Sequence, residues 1–400
     1  MAGSVTMAGL FAGIGGIELG FQRALGEQVH TELLCESWSP ARAVLAERFA
    51  GTELHPDVRE LTQLPGGLDV LAAGFPCTDL SQAGRTAGIT GAQSSLVSHV
   101  FDVLRLVVRE RRRLPWLVIE NVPNMLALDR GRAMHYLVGE LESLGFRWAY
   151  RVVDSRFTGV PQRRRRVILV ASQTEDPRAV LFADDVPPRD ETALAKDAFG
   201  FYWTEGRGGL GWAQDAVPTL KGGSTIGIPS PPAVWLPGVQ AGRGFVTPRI
   251  EDAEAMQGFP RGWTDVAATG RGLRNGPRWK LVGNAVTVDV AAWVASRLVR
   301  PGEYVDDSTL WDGPGAWPTA AWGEAGKVWR MRVSEYPLLA DYQHLLDVVD
   351  ADQAPALSHR GISGFQRRLN QGNLGKYPGF RDAVAEHVMA TAPAGDLFAQ

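Results

Sequence analysis

The feature that most constrains the fold is a glycine-rich turn between a short apolar strand and a helix. Residues 6–11 are mostly apolar, and residues 17–25 carry Ile17, Phe21 and Leu25 at helical spacing. The turn between them reads Phe11-Ala12-Gly13-Ile14-Gly15-Gly16. Glycines at a helix start let a ligand approach backbone N–H groups, as in nucleotide-binding α/β units. The spacing is not G-x-G-x-x-G and no Walker lysine follows, so a purely structural turn is the alternative.

Three further apolar runs predict buried strands that end in chemically active residues. The strand at 30–35 is followed by Glu36, and the strand at 68–73 is followed by Gly74-Phe75-Pro76-Cys77. The strand at 116–119 is followed by Glu120-Asn121-Val122. The carboxyl ends of parallel strands share one edge of an open α/β sheet, where ligands bind. The alternatives are a capping or solvated carboxylate, a free cysteine packed in the core, and a glutamate that makes a structural hydrogen bond.

A run of arginines begins a further predicted strand at residues 167–171. At strand period, Gln162, Arg164 and Arg166 share one face, and Arg163 and Arg165 share the other. A charge run is usually a solvated surface, but this pattern favours a strand with half of its arginines facing a site. The net charge of the chain is −3, so nucleic-acid binding would depend on such local basic clusters.

Bulk composition indicates a globular protein of two or three domains. The chain has 400 residues, of which 45% are hydrophobic, and contains two cysteines. We expect no disulfide framework, no membrane span, no secretory signal and a cytoplasmic location.

Composition shifts divide the chain into four segments. We predict a catalytic, cofactor-binding domain at 1–174, an irregular Gly- and Pro-rich domain at 175–247, and a segment at 248–300 that completes the catalytic domain. Residues 301–400 are predicted as a C-terminal accessory domain, Trp-rich and then helical. Its Arg360, Arg367, Arg368 and Lys376 form either a solvated face or a DNA contact.

Together these motifs resemble the DNA (cytosine-5) methyltransferase family over roughly residues 5–300. The glycine turn, Phe75-Pro76-Cys77, Glu120-Asn121-Val122, Gln162-x-Arg164-x-Arg166, the stretch 249–260 and Gly283-Asn284-Ala285-Val286 are similar to the family's blocks and keep their order. The resemblance implies a Rossmann-like α/β sheet with helices on both faces, a small irregular target-recognition domain and a C-terminal extension. It also implies an enzyme that methylates carbon 5 of a flipped cytosine in a short duplex DNA sequence.

The resemblance assigns catalytic roles to four residues. Cys77 is the nucleophile that adds to carbon 6 of the base, because a thiolate is readily formed beside positive charge. Glu120, protonated or sharing a proton, bonds N3 of the base. Arg164 and Arg166 hold O2 and orient the loop. Base flipping is implied because the target must leave the duplex.

S-adenosyl-L-methionine is the implied cofactor, S-adenosyl-L-homocysteine its product, and no metal is expected. The implied cofactor-binding residues are Phe11, Ala12, Gly13, Ile14, Gly15, Gly16, Glu36, Ser37, Trp38, Asp57, Val58, Gly74, Pro76, Leu96, Asn284, Ala285 and Val286. The family usually has a bulky apolar residue after the acidic one, so either Ser37 or Trp38 contacts adenine. The loop also departs from the family's usual Pro-Cys-Gln-x-Phe-Ser by carrying Thr78 and Asp79, which we expect to alter DNA contacts only.

Double-stranded DNA is the implied partner, with Ser81, Gln162, Thr219, Lys221 and Arg243 as candidate contacts. We expect a monomer, in a setting with a cognate restriction endonuclease, another defence system or no partner. Two other interpretations are a tRNA-methylating relative and a DNA regulator that has lost catalysis. The long segment 175–247 disfavours the first, and intact Cys77, Glu120 and Arg166 disfavour the second.

Overall fold

The computed structural model describes residues 3–76, 96–222, 231–268, 275–313 and 315–393, which fall into two compact units. The first unit comprises Met1–Thr158, Arg165–Pro188 and Ala285–Ala340. The second comprises Gly159–Arg164, Arg189–Asn284 and Asp341–Gln400. The residues after 300 are therefore divided between the two units.

In the described part of the first unit, ten strands form one sheet. They are β1 (Val5–Leu10), β2 (Val29–Cys35), β3 (Glu53–His55), β4 (Val70–Ala73), β5 (Trp116–Asn121), β6 (Arg147–Asp154), β8 (Arg165–Ser172), β14 (Thr309–Leu310), β15 (Ala320–Glu324) and β16 (Lys327–Arg330). Their order is β14-β16-β15-β6-β8-β5-β4-β1-β2-β3. Neighbours from β3 to β5 are parallel, and the pairs from β5–β8 outward are antiparallel.

Helices cover both faces of this sheet. The helices of the first unit are α1 (Gly16–Leu25), α2 (Ser39–Arg48), α3 (Leu96–Arg109), α4 (Arg132–Ser143), α5 (Arg178–Leu181) and α8 (Val288–Val299). α3 and α4 pack on one face, and α1 and α8 contribute to the core on the other. Coverage on both sides explains why β4 and β5 are uninterrupted buried runs. The predicted α/β fold class is confirmed.

Three strands extend the sheet beyond β6. β15 pairs with β6, β16 pairs with β15, and β14 lies at the edge, all antiparallel. The fully buried Arg151 on β6 anchors the surrounding chain by donating to the carbonyl oxygens of Leu181, Asp184 and Ser334 at 2.5–3.0 Å. The indoles of Trp322 and Trp329 stack across β15 and β16 with centroids 4.0 Å apart.

The second unit is built on short strands and C-terminal helices. Its elements are β7 (Gln162–Arg163), β9 (Phe199–Phe201), β10 (Ala213–Gln214), β11 (Val217–Pro218), β12 (Ala233–Trp235), β13 (Phe245–Val246), α6 (Ile250–Met256), α7 (Gly276–Asn284), α9 (Leu345–Val348), α10 (His359–Gly372) and α11 (Phe380–Ala390). Strands β10-β9-β12-β13 form an antiparallel sheet, and β7 pairs with β11 in parallel. α10 and α11 bury the aromatic side chains of the sheet.

Among the described residues, the stretch Gly276–Val299 is long and apolar enough to span a membrane by length and composition. However, 61% of its most apolar window is buried inside the protein, which is typical of core helices.

Candidate active site

The glycine turn connects the carboxyl end of β1 to α1. Gly13 and Gly15 have φ angles of 58° and 79°, which glycine adopts without strain. A Cβ at Gly15 would lie 2.2 Å from the ring of Phe49, so no larger residue fits there. Phe11 has a φ of 55°, uncommon for a residue with a side chain, and its ring packs edge-on against Phe75. The first-turn N–H groups of α1 have no acceptor within the helix, which suits this turn to a polar ligand.

Glu36 links the glycine turn to the loop after β2. Its Oε2 accepts from the N–H of Gly13 at 2.9 Å, and its Oε1 accepts from the N–H of Trp38 at 2.8 Å. The backbone N–H of Ala12 also donates to Cys35 at 3.1 Å. Ser37 is exposed and Trp38 is half-buried. The carboxylate retains lone pairs for a further donor, such as a ligand hydroxyl.

The other predicted cofactor residues of the first unit lie on neighbouring strand ends and helix starts. Asp57 caps a short turn and pairs with Arg59, whose hydrogen bonds lower the pKa of Asp57 to about 2. Val58 is buried, and Leu96 begins α3. Gly74 donates to Leu10 at 3.3 Å, which joins the ends of β4 and β1. The remaining members are Ile14 and Gly16, both buried, the exposed Pro76, the buried Ala285 and the half-buried Val286.

Glu120 and Arg166 form an ion pair between β5 and β8. Arg166 Nε lies 2.9 Å from Glu120 Oε1, and the side chains are only 14% and 10% exposed. This pairing fits the antiparallel register, in which Glu120 is opposite Ile168. An acid and a guanidinium are therefore held together, largely shielded from water, at the carboxyl end of β5.

Asn121 connects the end of β5 to the loop after β4. Its Nδ2 donates to the carbonyl oxygen of Phe75 at 2.9 Å, and its Oδ1 accepts from the N–H of Val122 at 2.8 Å. Phe75 stands two positions before Cys77. Asn121 is not among the predicted site residues, although a polar amide at the end of a buried strand is a signal for it, because buried amides must find partners. It fixes the backbone of Phe75 just after the end of β4.

The arginine run alternates as predicted but is not one continuous strand. Arg163 and Arg165 are exposed, whereas Gln162 and Arg164 are buried and Arg166 is half-buried. The strand is interrupted at Arg164, between β7 and β8. The reason is that β7 pairs with β11 of the second unit, whereas β8 belongs to the large sheet of the first.

Gln162 and Arg164 organise the backbone of the second unit. Gln162 accepts from the N–H of Leu220 at 2.9 Å and donates to the carbonyl of Met256 at 3.1 Å. Arg164 Nη1 donates to the carbonyls of Leu220 and Gly283, each at 3.2 Å. The backbone of Leu220 is thus held by hydrogen bonds to two buried side chains, those of Gln162 and Arg164.

The other predicted DNA-contact and cofactor residues of the second unit have protein partners. The hydroxyl of the half-buried Thr219 donates to the carbonyl of Arg163 at 2.7 Å. Lys221 pairs with Glu205 and lies 3.6 Å from the centroid of the Tyr202 ring. Arg243 donates to backbone carbonyls at 351, 352 and 354. Asn284 is exposed at the end of α7, and a Cβ on Gly222 would lie 2.5 Å from its Oδ1.

Cys77 and Ser81 lie outside the residues that the structure describes. The described cysteine, Cys35, is buried at the end of β2. Burial, followed by the nearby charges of Glu36 and Asp57, raises the pKa of its thiol to about 12. Cys35 is therefore an inert thiol and not a candidate nucleophile.

Comparison with known proteins identifies the family. A family model described as C-5 cytosine-specific DNA methylase matches residues 5–199. The type II methyltransferase M2.BsuMI of Bacillus subtilis (strain 168) is 44% identical over 366 residues, which are 90% of this chain and 92% of that protein. The chain belongs to the C-5 cytosine-specific DNA methylase family. The family and enzyme class predicted from the motifs are thereby confirmed.

Two further matches have lower sequence identity to this chain. The type II methyltransferase M.MspI of Moraxella sp is 25% identical, over 72% of this chain and 69% of its own length. The crystal structure of S. pombe Dnmt2 methyltransferase superimposes with a TM-score of 0.54 at 13% identity, covering 74% of this chain and 98% of that one. That likeness supports the fold alone. S-adenosylmethionine is the methyl donor of this family, and no group of three or more potential metal ligands occurs among the described residues.

Proposed function

We propose that this methylase transfers a methyl group to carbon 5 of a cytosine flipped out of a short duplex DNA sequence, with Cys77 as nucleophile. The observation that carries the proposal is the ion pair of Glu120 and Arg166 next to Asn121, which bonds the carbonyl of Phe75. These groups bring an acid and a fixed positive charge to the strand ends from which the chain continues to Cys77.

The glycine turn and its surroundings fit S-adenosylmethionine, because they combine close backbone approach with carboxylates and an aromatic ring. Gly13, Gly15 and Gly16 would face the methionine part, Glu36 the ribose, and Asp57 the adenine amino group. Phe11 and Trp38 offer aromatic surface for the adenine ring, whereas the side chain of Ser37 does not. The cofactor supplies an electrophilic methyl group on a sulfonium.

The protein residues make carbon 5 of the base nucleophilic. The thiolate of Cys77 forms a bond to carbon 6, and electron density moves through the ring to carbon 5. Glu120 shares a proton with N3 and so offsets the negative charge that addition places on the ring, and Arg166 orients Glu120 and favours the thiolate by its charge. Transfer of the methyl group to carbon 5 would leave S-adenosyl-L-homocysteine as the product. A base, for which a water molecule is a candidate, then takes the proton from carbon 5, the electrons of that C–H bond re-form the double bond to carbon 6, and Cys77 leaves as a thiolate. Arg164 orients the adjacent backbone through Leu220 and Gly283.

The second unit is the proposed recognition module. The segment 175–247 supplies most of its strands, and Thr219, Lys221, Gln162 and Arg243 are its proposed DNA-facing or supporting residues. Flipping of the target cytosine follows from the chemistry, since carbon 6 is not accessible within a stacked duplex. Ser81 is proposed to contact a phosphate.

A type II restriction–modification system is the proposed setting. Support comes from the names of the relatives, which are type II methyltransferases at 44% and 25% identity. A cognate endonuclease would be the functional partner of a monomeric, cytoplasmic methylase that protects the host's own sites.

Replacement of Cys77 tests this function. Cys77→Ser or Cys77→Ala, expressed in a methylase-free host, should reduce 5-methylcytosine in bisulfite sequencing to the host background. Binding of S-adenosylmethionine, measured by calorimetry, should persist because the glycine turn is untouched. Bisulfite sequencing of the wild type also reveals the methylated DNA sequence.

Cys35→Ala is the matched control, since it removes the other cysteine of the chain, whose thiol is buried and inert. This variant should still methylate and form a stable adduct on duplex DNA that contains 5-fluorocytosine. Methylation by Cys77→Ala would refute the nucleophile assignment. An adduct on tRNA and none on DNA would refute the substrate.

A further inference from the structure

The C-terminal helix α10 belongs to the core of the second unit. Its Ile362, Phe365 and Leu369 are buried among the aromatic side chains of the four-stranded sheet, with the rings of Phe365 and Phe201 5.0 Å apart. The helix is therefore part of the module proposed to recognise DNA, although it follows the recognition segment by more than a hundred residues and lies outside the matched family model.

The opposite face of α10 is basic. Arg360 and Arg367 are seven residues apart, so both project from one side of the helix, and both are exposed. Neither has an acidic partner among the described residues. Residues 353–381 contain five Lys and Arg residues and no Asp or Glu, in a chain with 44 acidic residues. Between the two arginines stand Ser363 and Gly364, and the guanidinium of Arg368 lies beside Gly364, where a Cβ would come within 3.4 Å of its Nη1.

This face is joined to the Thr219–Lys221 segment by one loop, residues 202–209. The Tyr202 hydroxyl donates to the carbonyl of Thr219 at 2.8 Å. At the other end, Arg368 donates to the carbonyls of Trp203 and Glu205, each at 2.9 Å. A single loop therefore positions the predicted recognition segment relative to the helix.

The contact of the loop with α10 is too close for larger residues. A Cβ on Gly372 would lie 2.5 Å from the carbonyl oxygen of Gly206, so the end of the helix rests directly on the loop backbone. Arg207 Nε donates to Gln371 at 2.9 Å, which adds an exposed arginine to the same surface. Burial and then the positive charges of Arg367 and Arg207 lower the pKa of Arg368, as expected for clustered cations.

We propose that Arg360, Arg367 and Arg207 form a phosphate-binding surface that grips duplex DNA beside the recognised sequence. The surface rests on the proposed function of the enzyme and extends its DNA interface to the C-terminal helix. Duplex DNA is the occupant that fits, because the exposed arginines are cationic and their helix is hydrogen-bonded to the loop that also bonds the predicted recognition segment. Such contacts add affinity and register, and carry no base specificity.

The salt dependence of DNA binding tests the proposal. The full-length double variant Arg360→Gln/Arg367→Gln should bind a duplex with the methylated sequence roughly tenfold more weakly at low salt. The slope of log K against log salt between about 50 and 200 mM should fall by about two, since each phosphate contact contributes about 0.9. The affinity for an unrelated duplex should fall by the same factor, the KM for DNA should rise, and kcat at saturating DNA should not change.

Two controls identify the cause of any change. Arg300→Gln removes an exposed charge at the end of α8 in the first unit and should leave the slope at the wild-type value. Arg360→Lys/Arg367→Lys retains both charges and should restore most of the slope. Because both arginines are exposed and unpaired, the glutamine variant should melt at the wild-type temperature.

The proposal would be overturned if the glutamine variant had the salt slope and the KM of the wild type. It would also be overturned if the variant lost affinity only for the recognised sequence and not for an unrelated duplex. Either result would leave an acidic protein as the alternative occupant of the surface. Failure of the proposed function is a separate outcome, because an enzyme that methylates no DNA can still be tested for the salt dependence of its binding.

Discussion

At the scale of single residues, Glu18 is a carboxyl group buried next to the glycine turn. It lies in the first turn of α1, only 1% exposed, and a Cβ on Gly9 would come within 1.9 Å of its Oε1. Its Oε2 has no hydrogen-bond partner among the described residues. Burial raises the pKa of Glu18 from 4.5 to about 7, against the opposing effect of its own backbone N–H. The carboxyl group is therefore protonated over much of the acidic range.

Glu18→Gln should stabilise the protein above neutral pH. In the wild type, the folded state holds a proton that the unfolded state releases above pH 4.5, so the stability that this proton confers is lost as pH rises from 4.5 to about 7. A glutamine has no proton to lose. Urea unfolding at several pH values should show the free energy of unfolding of the variant rising relative to that of the wild type between pH 4.5 and about 7, by on the order of 3 kcal/mol.

Glu27→Gln is the control, since it makes the same chemical change at an exposed position. A constant difference between Glu18→Gln and the wild type across the window would mean that Glu18 is already ionised when folded.

At the scale of elements, the packing of α1 on α8 depends on one glycine. A Cβ on Gly20 would lie 2.5 Å from the carbonyl oxygen of Val288 and 2.6 Å from the Cβ of Ala291. Both distances from this hypothetical Cβ are shorter than van der Waals contact, so the glycine lets the backbones of the two helices approach each other closely. Because α1 starts at the glycine turn, a shift of this helix would also disturb the proposed cofactor site.

Gly20→Ala should lower the free energy of unfolding by about 1–3 kcal/mol, because the added methyl group overpacks the contact. Affinity for S-adenosylmethionine should fall as well. Gly139→Ala is the counterpart in α4, where a Cβ meets nothing within 4 Å, and should raise stability by about 0.5–1 kcal/mol. Chemical denaturation should show that the two substitutions change the free energy of unfolding in opposite directions. Changes in the same direction would mean that helix propensity alone determines the effect of both substitutions.

The long buried elements are those that sequence periodicity predicts well. Apolar runs identify β1, β4 and β5, and the 3.6-residue period identifies α1 and α3, because these elements are covered on one or both faces by a large core. The short strand β3 ends at His55, and the Asp57 side chain caps the turn that follows it. The strands β14–β16 are unpredicted, since their tryptophans pack at a sheet edge with little alternation of burial.

The candidate site is predictable where it follows strand ends and unpredictable where it depends on side-chain partners. Placing Glu36 and Glu120 at the carboxyl edge requires only the strand order. The bonds of Arg164 to Leu220 and Gly283, and of Asn121 to Phe75, join residues far apart in sequence. Periodicity carries no information on such contacts. The assignments of catalytic, cofactor and DNA-contact residues stay predictions.

At the scale of the whole molecule, the last sixty residues complete the hydrophobic core of the second unit. The fully buried ring of Phe380 on α11 lies 4.9–5.9 Å from the rings of Trp212, Phe201, Trp235 and Phe245. The small sheet has strands of only two or three residues, which form no stable sheet without such cover.

Phe380→Ala should lower the stability of the second unit by about 3–5 kcal/mol, because a cavity remains in a packed aromatic cluster. Thermal unfolding followed by tryptophan fluorescence should show an earlier transition, with loss of DNA binding before loss of S-adenosylmethionine binding. Met389→Ala on the same helix, where the side chain is 64% exposed, should be neutral. Simultaneous loss of both binding activities would contradict independent stabilisation of this unit.

The interleaved chain order restricts how sequence specificity can be exchanged between relatives. A graft that moves only one continuous segment, such as residues 189–284, would separate that segment from the C-terminal helices of its donor and place it on those of the recipient. If the second unit is the recognition module, as proposed, chimaeras with a new target sequence require both the internal segment and the C-terminal segment from the same donor. Natural recombination faces the same requirement, so we expect the two segments to be inherited together.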